Sequence, residues 1–506
     1  MRVGGSKSGA KNRPPLDLRW LPAAALAWIT AIFVLAWMMS KKPLEGLFLI
    51  VLAALFLALL LGAWMSNKRA RHARYDVGSF RVAATLLALV IAVSGLSAAL
   101  HGLAFANHPA REACSLHCTI RAEVQRGSRE LDTGSWITWA SIPGATMMLI
   151  GEKVDAEVGD SLVLEGRLVQ GGTPPTLGTM KATRVEVHPA KGWRAKFRQN
   201  LSEALAGYER DQQGLIAGMS IGDFSAITPE SRSAMIQTST SHLTAISGMH
   251  LAIVIGTINA LLPGRGRLKV VFVTALVGAL VAIVGPTPSI LRAVSMAAIP
   301  SWGQLVGRSG QVLNSLALVT LAWIITDPFL ALSAGFTLSV FSTAGVLVVS
   351  AIYRAPKFSI RKPSLKTLAS RLLVSAVIPL AATIAASPML LHMNGSIATY
   401  AVPTNALLSP LILPTTLLAL STAVFAQFGL AQYPGVGAAW CADAITQVAR
   451  YFASLPGSQI SGHYALAVVL VLEVLAGLVV AWYLLPLLVD HRIKSKPLSS
   501  IQEVQR

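Results

Sequence analysis

Long apolar segments recur along most of this chain, and they restrict its fold more than any other feature. A helix needs about 20 apolar residues to cross the hydrocarbon core of a bilayer, and segments of this kind give about ten to twelve spans by hydropathy. Of the 506 residues, 54% are hydrophobic and only 13% are charged, which excludes an ordinary soluble protein. The sequence therefore predicts a polytopic α-helical membrane protein.

Lysine and arginine concentrate in particular connecting segments and predict the orientation of the chain. They are frequent before the first span, between the second and third spans, and after the last span. Because cytoplasmic segments carry an excess of these residues, we expect both termini in the cytoplasm and the third span to lead outside. The same segments explain most of the net charge of +19, so this charge alone is weak evidence for nucleic-acid binding.

One segment leaves its placement open. Residues 436–455 are largely apolar but carry Asp443, Gln447 and Arg450 on one side. Such a helix either crosses the membrane inside a bundle or lies in the interface. An even number of crossings, which termini on the same side require, favours a crossing.

Residues 107–199 form an extracytoplasmic insertion in which the hydrophobic period shortens to two. Segments such as CTIRAEVQ, SWITWASI and SLVLEGRLV alternate apolar and polar residues, as half-buried strands do. Turn signals rich in Gly and Pro separate them. About five short strands suit a small β-barrel inserted after the third span, with an OB-like fold as the leading candidate and a small β-sandwich as the alternative.

Some side chains of this insertion are candidates for contact with a nucleic-acid strand. Arg121, Arg126 and Arg129 suit phosphate groups, and Trp136 and Trp139 suit base stacking. Against this, acidic residues outnumber basic ones between positions 114 and 190, and a tryptophan in a small barrel often belongs to its core or to an interface. Direct strand binding by the insertion stays open.

Two of the three cysteines, Cys114 and Cys118, lie at the start of the insertion. A disulfide between them is permitted on the oxidising side of a membrane, and it requires a turn that brings their Cα atoms within about 7 Å. A CxxxC pair without further cysteines is a weak metal signal. We therefore treat the pair as a candidate disulfide and predict no metal site.

A second informative stretch is SHLTAISGMHLAIVIG, residues 241–256, where polar side chains interrupt an apolar run. Polar groups inside a bilayer are costly and normally face a cavity or a partner. On an α-helix, His242 and His250 lie about 80° apart, and Ser247 lies about 60° beyond His250. The pattern predicts a helix with one polar face, which lines a path through the membrane.

Further polar positions occur in the second half of the chain: Asp223 in a GD pair, Arg292 near the start of a span, and Asp327 before a proline. Each has an ordinary structural interpretation. An Asp before Pro is commonly a helix cap, and an Arg near a span end commonly snorkels. Their occurrence together with His242 and His250 favours a shared functional site.

The order of several motifs resembles the competence domain of the ComEC family. These motifs are IGDFS, HLTAISGMH, PSILRAV, DPFLALSAGFTLSV and SPMLLHMNGSIATYAVPTNALLSP, within about residues 201–430. The early spans followed by a β-rich insertion resemble the family's N-terminal OB-like domain. The resemblance implies a channel that carries one DNA strand across the cytoplasmic membrane during natural transformation.

The resemblance also implies the organisation of the chain and its substrate path. The expected domains are a cytoplasmic tail with three spans (1–106), the OB-like domain (107–199), the channel domain (200–490) and a cytoplasmic tail (491–506). The positions carried over by motif to the DNA path are Asp223, His242, Ser247, Gly248, His250, Arg292, Asp327, Gly335, Phe336 and Ser339. Transport needs contacts weak enough to release the strand; Phe336 either packs or touches a base.

The chain departs from the family pattern in two respects. Thr337 stands where the family usually has glutamine, and the sequence ends at Arg506 without the β-lactamase-like domain that many members carry. The sequence contains no HxHxDH-type metal cluster and no phosphate-binding loop. We therefore expect no cofactor and no enzymatic activity in this chain.

Partners must supply what the chain lacks. Besides single-stranded DNA and membrane lipid, we expect an extracytoplasmic DNA-receptor protein, a cytoplasmic ATPase or strand-binding protein as motor, and a separate nuclease. Further copies of the chain in a homo-oligomer are a possible addition.

Two alternative functions belong to other classes. An intramembrane hydrolase would use Ser247 as nucleophile and His250 as base, but groups one turn apart on a rigid helix seldom reach hydrogen-bond geometry, and the sequence offers no clear orienting acid. A transporter of another anionic solute shares every argument for a polar path and differs only in its substrate.

Overall fold

The computed structural model describes residues 20–39, 77–131, 133–244, 250, 253–255, 257, 267–284, 294–295, 312–353 and 365–494. The helices are α1 Leu21–Met38, α2 Val77–Ala106, α3 Pro109–Ala113, α4 Trp193–Leu205, α5 Arg210–Ile221, α6 Pro229–Gln237, α7 Arg267–Val284, α8 Val312–Thr326, α9 Ala334–Tyr353, α10 Leu365–Asn394, α11 Ala401–Ala426, α12 Gln432–Ser454 and α13 Gly462–Lys494. Short 3₁₀ turns cover Ser241–Leu243 and Pro328–Leu332.

The helical part confirms a multi-pass membrane protein. Within the described ranges, the helices long and apolar enough to cross a bilayer are Leu21–Met38, Thr85–Ala113, Val377–Asn394, Ala401–Ala426 and Gly462–Val479. Shorter apolar helices occupy Val271–Val284, Val312–Thr326 and Ala334–Ser350. The second apolar segment of the sequence, residues 44–65, is one of the expected spans and lies outside the described residues.

Helix α12 is the segment that the sequence left ambiguous, and it is one continuous helix. It is not among the helices apolar enough to span a bilayer. Small residues such as Ala438, Ala442 and Ala449 form its buried face against α5, α6 and α11. Tyr433 and Trp440 on the opposite face are 71% and 78% exposed, so the helix buries its small residues and exposes its large aromatic ones.

The insertion is a closed five-stranded barrel, as predicted. Its strands are β1 Cys118–Glu130, β2 Trp136–Ile142, β3 Ala145–Gly151, β4 Ser161–Gln170 and β5 Thr176–His188. They close in the order β1-β2-β3-β5-β4, with β3 and β5 parallel and the other pairs antiparallel. This closure excludes the sandwich alternative.

The alternation in the sequence explains the barrel interior. Leu162 and Leu164 of β4 point inward and are fully buried, and Leu168 follows on the same face. Strand β5 begins at Thr176, six residues before the alternating stretch ATRVEVH, residues 182–188. Gly178 permits this, because a Cβ there would collide with the Val169 carbonyl. At the entrance of β1, Cys114 and Cys118 form a disulfide with a Cα–Cα distance of 4.8 Å.

The two largest apolar cores organise most of the described residues. One core joins the barrel interior to α1, α2, α8 and α9. The other joins α4, α5 and α6 to α11 and α12. A hydrogen bond from Trp323 of α8 to Ser295, 3.2 Å long, ties α8 to the segment at 294–295.

A polar network fixes α12 in the second core. Asp211 of α5 accepts hydrogen bonds from the backbone N–H and hydroxyl of Thr228, both 2.9 Å, and from Ser231 at 2.5 Å. Arg450 of α12 forms a 2.6 Å ion pair with Asp211 and also donates to Ser231. The Asp211 side chain is only 10% exposed, whereas that of Arg450 is 41% exposed, so the carboxylate is shielded from water while the guanidinium keeps access to it.

We expect Asp211→Ala to destabilise the protein by about 1–3 kcal/mol, because it leaves the Thr228 and Ser231 donors without their acceptor; the partly exposed Arg450 adds little, since water solvates it. Thermal unfolding of the detergent-purified chain measures this. Asp443→Ala is the matched control: Asp443 accepts one hydrogen bond, from Gln212, and is half-buried, so we expect a much smaller loss. Equal unfolding midpoints for the two variants would contradict this role of Asp211.

Candidate functional site

Helix α5 has a glycine face that allows very close backbone packing. Its N-terminus is closed by a capping box between Glu209 and Gln212. Gly214 and Gly218 follow at a spacing of four and therefore lie on one face. A Cβ at Gly214 would collide with Ile227, and one at Gly218 would collide with the Thr244 carbonyl. Small residues at this spacing let backbones approach closely. Here they allow the start of residues 241–256, which we call the histidine segment, to pack directly on α5.

Asp223 is held in the cap that ends α5. Gly222 adopts a left-handed conformation with φ 79°, and its N–H donates to the Gly218 carbonyl at 3.2 Å, which is the pattern of an αL cap. The Asp223 N–H donates to the Ala217 carbonyl at 3.3 Å. The Asp223 carboxylate accepts from the Ser225 N–H at 3.0 Å. The carboxylate is half-buried and oriented by the backbone.

Arg198 of α4 joins this cap to the end of α7. Its guanidinium is buried and donates to the carbonyls of Ile221 at 3.4 Å and Val284 at 3.2 Å, the last residues of α5 and α7. A cation at helix C-termini is favourable. Burial lowers the pKa of Arg198, while the charges of Asp223 and Glu157 act in the opposite direction. Arginine stays charged under these conditions, so Arg198 is a fixed positive charge beside Asp223.

The barrel contacts the same cap. An added Cβ at Gly127 of β1 would lie 3.5 Å from the Ser225 side chain, which follows Asp223 by two residues. Glu130 at the end of β1 lies 3.6 Å from Arg210 of α5. The barrel and the helical domain therefore meet at the Asp223–Ser225 turn.

Three of the predicted strand-contacting residues gather next to this contact. Strand β1 has irregular pairing on both sides of Arg126. On a regular strand, Arg126 and Arg129 would point to opposite faces, but the bulge lets both guanidinium groups lie over Trp139, at 5.6 and 5.2 Å from the ring centroid. We call Arg126, Arg129 and Trp139 the barrel cationic cluster.

The other two candidates lie elsewhere. Trp136 and Trp139 are three positions apart on a regularly paired strand, so they lie on opposite faces and form no common stacking surface. Trp136 instead contacts Lys153, 5.4 Å from its ring. Arg121 is exposed and pairs with Val163 of β4, about 15 Å along β1 from the cluster.

The histidine segment corrects one expectation. His242 lies in the 3₁₀ turn Ser241–Leu243 and is exposed, so the idea that it shares a continuous α-helix with His250 is wrong at that end. Ser239 has φ 57°, and its carbonyl bonds to the His242 ring at 3.1 Å. Such local hydrogen bonds compete with helix formation. His250 is 1% exposed; Ser247, Gly248 and Arg292 lie outside the described residues.

The remaining predicted positions in the described residues lie in the turn after α8 and at the start of α9, and of these only Phe336 belongs to the first core. Asp327 caps the turn Pro328–Leu332 by accepting from the Phe329 N–H at 3.1 Å. Phe336 is 1% exposed, with its ring 5.4 Å from Trp28, so it packs. Gly335 is exposed, with no atom within 4 Å of an added Cβ. The Ser339 carbonyl accepts from Thr343 at 2.6 Å.

Sequence reasoning missed three elements of this site: the glycine pair, Arg198 and the Asp211 network. The Gly214/Gly218 spacing was visible in QQGLIAGMSIGD and could have been recognised as a small-residue packing motif. Arg198 gave no such signal, and Arg450 was recognised only as a polar residue on one side of its helix, since the partners of both are remote in sequence. No group of three or more potential metal ligands was found among the residues described.

Fold and site together define a multi-pass membrane protein in which a small β-barrel is packed on a helical domain. The family model described as Competence protein matches residues 219–487, just over half of the chain. The chain therefore belongs to the competence protein family, which confirms the resemblance to ComEC proteins. It is also 26% identical over 203 residues to ComE operon protein 3 of Bacillus subtilis (strain 168).

That second match covers 40% of this chain and 25% of the relative, so the chain spans only a quarter of that protein's length. No solved structure matches the chain significantly. The family match includes Asp223, His250, Asp327 and Phe336, whereas the barrel precedes it. Membership of this family supports a role in competence and DNA uptake.

We expect Gly218→Ala to displace the Thr244 backbone and to lower the free energy of unfolding by about 1–3 kcal/mol. The unfolding midpoint of the purified chain should fall by several degrees as a result. Gly335→Ala is the matched control, because an added Cβ there meets nothing and alanine favours the helix. An unfolding midpoint of Gly218→Ala equal to that of the control would contradict the packing argument.

Proposed function

We propose that this protein is a channel that carries single-stranded DNA across the cytoplasmic membrane during natural transformation. The observation that carries the proposal is the contact between barrel and cap. It brings the barrel cationic cluster beside the turn that holds Asp223, on the same helix that seats the histidine segment. A strand that leaves the barrel at this point next meets the Asp223 turn and then the histidine segment, where the motifs that resemble the family begin.

The chemistry of each part fits a moving polyanion. Arg126 and Arg129 offer charge-assisted contacts to phosphates, and Trp139 between them offers an aromatic surface to a base. Arg198 lies further along with its charge fixed at two helix ends. Asp223 beside it prevents a uniformly positive path, which would bind the strand too tightly to release it.

Topology and partners complete the proposal. With both termini in the cytoplasm, the barrel lies outside, where a DNA-receptor protein delivers the substrate. A separate nuclease removes the other strand, and a cytoplasmic ATPase or strand-binding protein gives direction. In this proposal the chain itself catalyses no reaction, and a homo-oligomer is compatible with it.

Uptake of fluorescent DNA into the cytosol, in cells with the gene intact, deleted or carrying His250→Ala, tests the proposal. We expect deletion and His250→Ala both to leave DNA bound outside and absent from the cytosol. Unchanged uptake after deletion would refute the channel and favour transport of another anionic solute. Loss of uptake in Ser247→Ala together with a hydrolysed product in wild-type cells would favour the hydrolase.

The double change Arg126→Gln and Arg129→Gln should lower transformation frequency by about tenfold or more, because two charge-assisted phosphate contacts are lost. Arg184→Gln is the matched control: it removes an exposed barrel arginine paired with Glu186, and we expect an effect below about twofold. Equal frequencies for both variants, at equal protein levels in the membrane, would show that the barrel cationic cluster has no role in uptake.

A further inference from the structure

A cavity of about 370 Å³ lies between the barrel and the first two helices. Its walls come from the ends of α1 and α2, from the β4–β5 loop and from the turn after α8. Apolar side chains such as Leu35, Met38, Phe105, Leu177 and Phe329 form about half of the wall, and polar groups form the rest. The volume of the cavity is in the range of small-molecule sites. None of the described DNA-path candidates is among its lining residues.

One cation faces this cavity. Arg111 of α3 lies among the lining residues, with its guanidinium 4.5 Å from the centroid of the Phe105 ring. Its Nε is buried and has no hydrogen-bond partner among the described residues. Its backbone carbonyl accepts from Gln170 of the barrel at 3.2 Å, which anchors the residue there. Among the described residues that line the cavity, Arg111 is the only cationic one, so it is the group that an anion bound there would meet.

The cavity lies where lipid headgroups are expected. Helices α1 and α2 both belong to candidate membrane spans, and the cavity is at their barrel-side ends, Met38 and Ala106. The ends of spans coincide with the boundary between hydrocarbon and headgroups. A ligand at this boundary can place an apolar part against Leu35 and Met38 and an anionic part against Arg111.

We propose that this cavity binds one anionic phospholipid from the leaflet on the barrel side, with its phosphate on Arg111. The lipid joins the barrel to α1 and α2, because the β4–β5 loop and both helix ends line the same space. This proposal does not depend on the proposed DNA channel. Its evidence is the cavity, the positive charge in the cavity wall and the position of the cavity at the ends of two candidate spans. The occupant is a lipid of net negative headgroup charge, because a zwitterionic lipid carries the same phosphate together with a cation that the Arg111 charge repels.

Native mass spectrometry of the delipidated full-length protein tests this with two dioleoyl lipids, phosphatidylglycerol and phosphatidylcholine. We expect the wild type to retain one phosphatidylglycerol at about tenfold lower lipid concentration than phosphatidylcholine. Arg111→Gln should reduce this preference to within about twofold. Arg121→Gln, an exposed arginine outside the cavity, is the control and should keep the wild-type preference.

A second variant separates the site from general effects on folding. Ala106→Trp places a large side chain at an exposed residue of the cavity wall and should reduce retention of both lipids while Arg111 stays in place. Its unfolding midpoint in lipid-free detergent should match that of the wild type. Equal retention of both lipids by the wild type, or an unchanged preference in Arg111→Gln, would overturn the proposal.

Discussion

The close backbone contact on the glycine face of α5 is the constraint on which the rest of the site depends. The Thr244 carbonyl occupies the space that a side chain at residue 218 would need. Gly222 then ends the helix with a left-handed residue, which turns the chain so that Asp223 and Ser225 face the barrel. A larger residue in this face would push apart the histidine segment, the cap and the barrel together.

Charge reinforces what the glycines permit. Arg198 bridges the last carbonyls of α5 and α7, and Asp211 and Arg450 lock α12 onto α5 and α6. Both arginines are buried or partly buried and both have defined acceptors, so each stabilises one arrangement of helices rather than a set of alternatives. This explains how a domain made largely of apolar helices specifies the relative position of its few polar groups.

The sequence predicted those parts of the fold that depend on local pattern. Period-two alternation located the barrel strands, and hydropathy located the five long apolar helices among the described residues, whereas the expected total of about ten to twelve spans stays a prediction. The sequence failed where contacts between remote residues decide the structure. The sequence around His242 does not show that the chain forms a 3₁₀ turn there instead of an α-helix. The sequence around Arg126 does not show the bulge that places both arginines over Trp139. Trp136 and Trp139 were both candidates for base stacking, and the strand places their rings on opposite faces.

The central claim is that one DNA strand passes from the barrel cationic cluster to the histidine segment. Site-specific photocrosslinking in living cells tests it most directly, with a photoreactive amino acid at position 139, 250 or 440 and labelled transforming DNA. We predict that positions 139 and 250 both crosslink to single-stranded DNA during uptake, whereas the exposed position of Trp440 does not. Crosslinking at 139 without any at 250, or equal crosslinking at all three positions, would contradict the claim.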